Sequence, residues 1–336
     1  MHQTGPAGPA DPLAVVPTVS PWREASMAPH KRVSRAALGA IVILLVLAAA
    51  RAARAQDLEP RAYVNTPVGM NFLIAAYAYS EGGVATDPSL PIQDAQINLN
   101  NFVLGYARAL NVFGKSGKVD LILPFSQLSG SASFAGQTVE REVTGFGDPR
   151  LRFSVNLYGA PALSLKELSS YKQDIIVGVG LQVSAPASQY DSSKAVNIGT
   201  NRWAFKPGLG ASKALGKFKL ELSTDVTFYT DNNDFFGGNT LKQDPLYSVQ
   251  AHVSYDLGRG IWAAVDGTYY FGARTTINGV QSNNELSNSR FGATFALPVN
   301  KYNSIKLYVS TGLFTRTGTN FTTGGIAWQY RWGGGL

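Results

Sequence analysis

From Lys217 to Tyr229 the chain alternates with a period of two. Phe218, Leu220, Leu222, Val226 and Phe228 fall on one face, and Lys219, Glu221, Ser223, Asp225, Thr227 and Tyr229 on the other. Such alternation is the mark of a β-strand with one apolar and one polar side. The same period runs through 150–157, 175–184, 202–210, 305–313 and 326–332. Period and turn residues together predict about twelve strands. They fall at 68–80, 96–110, 117–128, 146–157, 173–185, 200–214, 216–230, 245–257, 260–271, 287–298, 303–314 and 323–332, and the first two alternate least cleanly. Most run about ten to fourteen residues, against a mean of about five to six in soluble sheets. A tilted membrane strand takes about 9–11 residues.

The connections alternate too. Segments 81–95, 129–145, 186–199, 231–244, 272–286 and 315–322 are long and rich in Gly, Asn, Ser and Asp. Segments 111–116, 215, 258–259 and 299–302 are tight. Short periplasmic turns opposite long extracellular loops, with an even strand number, are the plan of an outer-membrane barrel. The expected fold is therefore all-β, a transmembrane antiparallel up-and-down β-barrel of about twelve strands. Hydrocarbon offers no partner to an open sheet edge, so the sheet must close. Both termini then lie in the periplasm. A soluble sandwich would also alternate, but with shorter strands and a more charged outer face. Segment 158–172 departs from the pattern, and Leu163–Tyr171 reads as a small amphipathic helix capping the periplasmic end. Tyr77, Tyr79, Tyr229, Tyr269, Tyr270, Phe271, Trp328 and Trp332, near strand ends, are expected in interfacial girdles.

The N-terminus reads as an address. Lys31, Arg32 and Arg35 precede an apolar run from Ala36 to Ala50, and Ala53-Arg54-Ala55 forms a cleavage site. The run is shorter than the ~20 residues a spanning helix needs. We assign 1–55 to an N-terminal extension and signal peptide, with the true start at Met27 and cleavage after Ala55, and 56–336 to the barrel. Removing 1–55 removes six Lys/Arg and two acids, so the formal charge falls from +7 to +3. The basic balance is thus no evidence for nucleic-acid binding. The absence of cysteine excludes disulfides, thiolate metal sites and a cysteine nucleophile. A mean hydropathy of -0.03 excludes a helical membrane bundle and is what two opposite faces average to. Glycine, at 35 residues, falls largely on inward strand positions and long loops, where a narrow barrel needs small residues.

The polar faces carry the candidate chemistry. Alternation turns Arg150, Arg152, Arg202, Lys206, Lys219, Arg290, Lys306 and Arg331 toward the lumen, together with Asp120, Glu221, Asp225 and Asp266. A basic bias of this kind would select anionic or aromatic solutes, since charged rings tune pore selectivity. The alternative is cross-strand ion pairing that stiffens the barrel, because charges are not packed inside without partners. Arg202 is the leading candidate, a guanidinium fork for a carboxylate. Its other expected role is a pair with Glu221 or Asp225 on the next strand. Asp148-Pro149 and Asp244-Pro245 read as turns that open strands. His252, the only histidine after residue 55, could serve a hydrolase with Ser248 or Ser254, but no G-x-S-x-G accompanies it. Asp231-Asn232-Asn233-Asp234 lacks the spacing of a calcium loop. Nucleotide motifs are absent, so no cofactor and no metal is expected.

Several stretches carry a family resemblance. They are 63–72 (YVNTPVGMNF), 145–150 (GFGDPR), 156–163 (NLYGAPAL), Tyr190-Asp191, 197–207 (NIGTNRWAFKP), 243–247 (QDPLY) and 328–332 (WQYRW). Over nearly the whole chain after residue 55 the sequence resembles the MetA-pathway of phenol degradation family of outer-membrane transporters. The resemblance implies a barrel linked to uptake of aromatic or hydrophobic compounds, and it supplies no catalytic or binding residues. The expected function is passive uptake of small hydrophobic or aromatic solutes. The expected partners are the lipid bilayer, those solutes and the barrel-assembly machinery. Two alternatives stand beside it: a lipid-modifying enzyme using His252, and an anchoring or adhesion barrel. One departure is the Gly333-Gly334-Gly335-Leu336 tail, where such barrels usually end on an aromatic residue.

Overall fold

The computed structural model describes residues 59–85, 92–134, 136–194 and 196–336. The expected signal peptide and its cleavage point lie outside the described residues. In chain order the elements begin with β1 (Met70–Ala85), β2 (Ile92–Val112), β3 (Lys115–Phe134), β4 (Gln137–Phe146) and β5 (Arg150–Tyr158). A helix, α1 (Leu165–Leu168), leads to β6 (Ile175–Ser184), β7 (Ala204–Leu215), β8 (Phe218–Tyr229), β9 (Asn232–Phe235) and β10 (Asn239–Gln243). Then come β11 (Leu246–Gly258), β12 (Ile261–Gly272), β13 (Thr275–Ile277), β14 (Val280–Gln281), β15 (Leu286–Pro298), β16 (Asn303–Thr315) and β17 (Gly318–Gly333).

Twelve antiparallel staves close into a barrel. β1 pairs with both β2 and β17, and β2 with β3, so no edge is left. β4 and β5 are one stave in two pieces. Both pair with β3, and Gly147-Asp148-Pro149 interrupts them. β9, β10, β13 and β14 form a separate small sheet in the loops of the long-loop end. Tight turns close the other end. Phe113-Gly114 and Arg259-Gly260 each place two successive residues at positive φ, the type I′ geometry that matches strand twist.

All twelve expected strands are present, but among the described residues they run on into three of the expected loops. The described residues of segments 81–95, 129–145 and 315–322 are largely ladder, continuing β1, β2, β3, β4 and β17. Ser126↔Gly145 through Ser133↔Thr138 pair in register with little apolar residue on either face. Beyond the hydrocarbon layer neither face needs to be apolar, so hydropathy stops reporting a strand that the backbone continues. α1 is shorter than the expected Leu163–Tyr171, and a reciprocal capping box of Ser164 and Glu167 opens it.

The barrel is apolar outside and polar inside. Leu104, Leu151 and Leu222 are 50–58% exposed, whereas Glu221, Asp266 and Arg290 are 2–5% exposed. Aromatic contacts mark both rims of the outer face. Trp328, Tyr330 and Trp332 stack at the tight-turn end, and Tyr77, Phe102, Phe125 and Phe146 run round the long-loop end. Tyr229 and Tyr270 depart from the girdle expectation. Strand parity turns both inward, and Tyr270 is buried. The Gly333–Gly335 tail folds back at positive φ beside Met70, leaving the Trp328–Trp332 ladder as the last outward aromatics.

Candidate functional site

The site is the lumen, built by register. Asp120 on β3 lies opposite Arg152 on β5. Arg152 Nε donates to Asp120 Oδ2 at 2.8 Å, and Lys118 Nζ stands 3.5 Å from Asp120 Oδ1. Lys206 on β7 and Asp225 on β8 are 3.7 Å apart, and Asp225 also accepts from Ser248 Oγ and Gln250 Nε2. His252 on β11 is flanked in register by Glu221 and Asp266. Its Nδ1 is 2.7 Å from Asp266 Oδ1, and Thr294 donates to the other oxygen of Asp266. Lys219 lies near Arg61, Asp256 and Glu221, and Lys306 near Glu59, Lys118, Asp266 and Arg152. Arg150 opens β5 on the same inward face as Arg152, and Arg290 donates to the Phe321 carbonyl.

A segment outside the strands whose alternation pointed to the lumen also crosses it. Residues 59–69 precede β1 and carry no period-two pattern. Glu59 pairs with Arg152 Nη1 at 2.6 Å. The Arg152 guanidinium holds the Glu59 carboxyl well below the usual carboxylate range; burial opposes this, and Lys118 and Lys306 reinforce it. Arg61 and Tyr63 both donate backbone N–H groups to the Glu221 carboxylate, and the Arg61 guanidinium lies 5.1 Å over Trp262. Burial, with Asp225 adding, pushes the Tyr63 phenol up to about 12. Asn65 Nδ2 donates to Pro161 O, Val68 N to Leu163 O and Gly69 N to Ala109 O, which ties the segment to the tight-turn end. A cavity of about 50 Å³ remains between it and the wall, lined in part by Arg61, Thr66, Lys118 and Asn156. Residues 59–69 form a strap inside the barrel.

Residues 33–332 match the family described as MetA-pathway of phenol degradation. The chain belongs to that family. Among solved structures it is similar to an outer membrane channel from Pseudomonas putida F1, at 21% identity and a TM-score of 0.71, covering 82% of this chain and all of that one. Looser likenesses include the transport unit of the autotransporter AIDA-I from Escherichia coli, at 9% identity and a TM-score of 0.48, covering 87% and 97%. Another is the CymD monoaromatic hydrocarbon channel, at 9% identity and a TM-score of 0.40, covering 80% and 89%. No curated protein matches the chain.

Two candidates of this family member lie away from mid-barrel. Arg202 sits in the loop before β7, at the long-loop mouth. Its Nη2 donates to Gln243 Oε1, and its guanidinium lies 4.5 Å over Tyr229. Register explains why it misses Glu221 and Asp225. Ala204 already faces Tyr229 at the end of the ladder, so Asp225 is left to Lys206. Arg202 Nε and Nη1 are buried without a hydrogen-bond partner among the described residues. Arg331 lies at the opposite rim, its Nε donating to the Lys301 carbonyl in a turn. The Asp-Pro pairs are turns. Asp148 Oδ2 accepts from Thr200 N and Oγ1, and Pro245 O accepts from Ala273 N. Asn232, in the calcium-like run, is a buried hub joining Asn201, Tyr190 and the Thr200 carbonyl. Among the described residues no cluster suited to a metal is present.

Proposed function

We propose that the protein is an outer-membrane channel for passive uptake of small hydrophobic or aromatic compounds. The observation that carries the reading is the strap. A barrel of about eight strands is just filled by its own side chains. This twelve-stave barrel admits an extra chain segment with an aromatic ring, so its bore exceeds what its wall fills. Family membership and the lipid-facing exterior support the same reading. Residues 1–55 serve as the exported leader, and the barrel-assembly machinery reads the Trp328–Trp332 ladder. Liposomes holding the full protein, or a variant with a loosened strap, should swell in small aromatic solutes. If neither passes any solute or ion, the channel reading fails. If instead a lipid-hydrolysis activity is lost in His252→Ala, the enzyme reading replaces it.

The lumen charges set selectivity in this reading: Arg150, Arg152, Arg202, Lys206, Lys219, Arg290, Lys306 and Arg331 against Asp120, Glu221, Asp225 and Asp266. At the mouth Arg202 has two guanidinium nitrogens, Nε and Nη1, without a hydrogen-bond partner among the described residues. Arg202→Gln should therefore lower the anion preference, read as a shifted reversal potential in a salt gradient. An unchanged potential would make Arg202 structural only.

A further inference from the structure

A phenol ring already sits in the lumen, that of Tyr63. Its floor is bare backbone. Gly178 on β6 and Gly210 on β7 are cross-strand partners, and Gly180 and Gly208 form the next rung. Neither Gly178 nor Gly210 has a left-handed φ, so backbone conformation does not require glycine there. What they supply is room. A Cβ on Gly178 would lie 2.8 Å from the Tyr63 ring, and one on Gly210 would overlap the ring and its hydroxyl. The surrounding wall is charged and polar. Lys206 and Asp225 pair beside the glycines, Asp225 Oδ1 stands over Gly208, and Asn156 flanks Gly178. The result is a notch in which the Tyr63 ring lies against the backbone of Gly178 and Gly210, edged by Asn156 and Asp225, in an otherwise polar lumen.

The occupant is not part of the wall. Tyr63 is delivered by the strap, which contributes no strand to the sheet and is held by Glu59–Arg152, by backbone bonds to Glu221 and by its ties near Pro161 and Leu163. Those contacts can be exchanged for water, and the ladder is untouched when they are. The notch is then vacant and still shaped for a ring.

We propose that this notch is the lumen's subsite for a monocyclic phenolic ring in transit, and that Tyr63 occupies it as an internal competitor. The proposal rests on the channel reading above. A side chain on a short tether presents an effective concentration of about millimolar. Free phenol therefore displaces Tyr63 only near that range, and the apparent affinity of the native protein is reduced by the fraction of time the notch is free.

The test uses the full-length protein in one detergent, with phenol and cyclohexanol as probes and ligand-observed NMR as the readout. Tyr63→Ala should bind phenol saturably and about tenfold or more tightly than the native protein. Adding Gly210→Leu to Tyr63→Ala refills the notch and should abolish the saturable component, while partition into micelles is common to both variants. Cyclohexanol, which is not flat, should not compete. Tyr63→Phe keeps the ring and should behave as the native protein, which guards against loss of fold in the alanine variant. Equal phenol signals from folded Tyr63→Ala and its Gly210→Leu derivative would overturn the subsite. Solute flux through the same proteins in liposomes separates the two failures. Flux without saturable phenol binding overturns the subsite and leaves the channel. The absence of flux from every one of these proteins and from the loosened-strap variant overturns both.

Discussion

Replacing Glu59–Thr66 with a Gly-Ser tract should turn a mostly closed barrel into a conducting one. The strap supplies no strand to the sheet, so the closed sheet survives its removal. Arg152 keeps Asp120, and the Glu221 carboxylate keeps His252 beside it in register. What is lost is the obstruction. Glu59 is 44% exposed on its side chain, so its pair with Arg152 contributes no more than about 1 kcal/mol. Hydrogen bonds to a charged group contribute about 1.5–3 kcal/mol each, and Glu221 accepts two from the strap. Together these amount to about 3–7 kcal/mol, and the entropy of holding the strap in place offsets part of that, which leaves the docked strap favoured by a few kcal/mol, or roughly 10²–10³-fold. Mean conductance in planar bilayers should rise by about two orders of magnitude on replacement. Glu59→Gln alone should raise it only a few-fold. A strapless protein that shows the heat-modifiable mobility of a folded barrel, yet conducts no more than the full chain, would show that the strap does not close the pore.

The staves were legible because lipid on one side and a polar lumen on the other impose a pattern that survives in a single sequence. Phe218, Leu220 and Leu222 alternate with Lys219 and Glu221, and each lies on the expected face. The pattern fails where that asymmetry ends. β3 and β4 rise past the apolar band as Ser-, Thr- and Glu-rich strands, and nothing in their hydropathy separates them from a loop. The luminal pairs were legible only in part. Lys206 and Asp225 are near neighbours across a hairpin, so local register reaches them. Arg202 and Gln243 meet 41 residues apart through loops, where no period applies. The strap was hidden for the same reason. Arg61 and Glu221 are 160 residues apart, and residues 59–69 alternate with no period. One signal for it was present. Glycines at inward positions of both β6 and β7 leave a gap in the wall that something must fill, and a chain segment fills it.

Leu222→Arg should be among the most damaging single changes on the outer surface. Leu222 faces lipid at mid-height of β8 and is 58% exposed. Phe218, in contact with Tyr255, lies on one side of it, and Phe228 on the other, toward the two aromatic rims. Its neighbours in register are Ala211 and Ala251, too small to shield a charge from hydrocarbon. A guanidinium at the bilayer midplane of such a barrel costs about 2–4 kcal/mol, falling to about 0–1 near the interfaces. Reversible unfolding in denaturant, from lipid vesicles, should show that loss for Leu222→Arg. Phe228→Arg should lose less to charge burial, since it sits closer to the headgroups. Leu222→Ala keeps the site apolar and separates lost packing from the charge. Equal costs at 222 and 228 would place the hydrocarbon band elsewhere on the barrel. A negligible cost at 222 would mean that this face does not meet lipid at all.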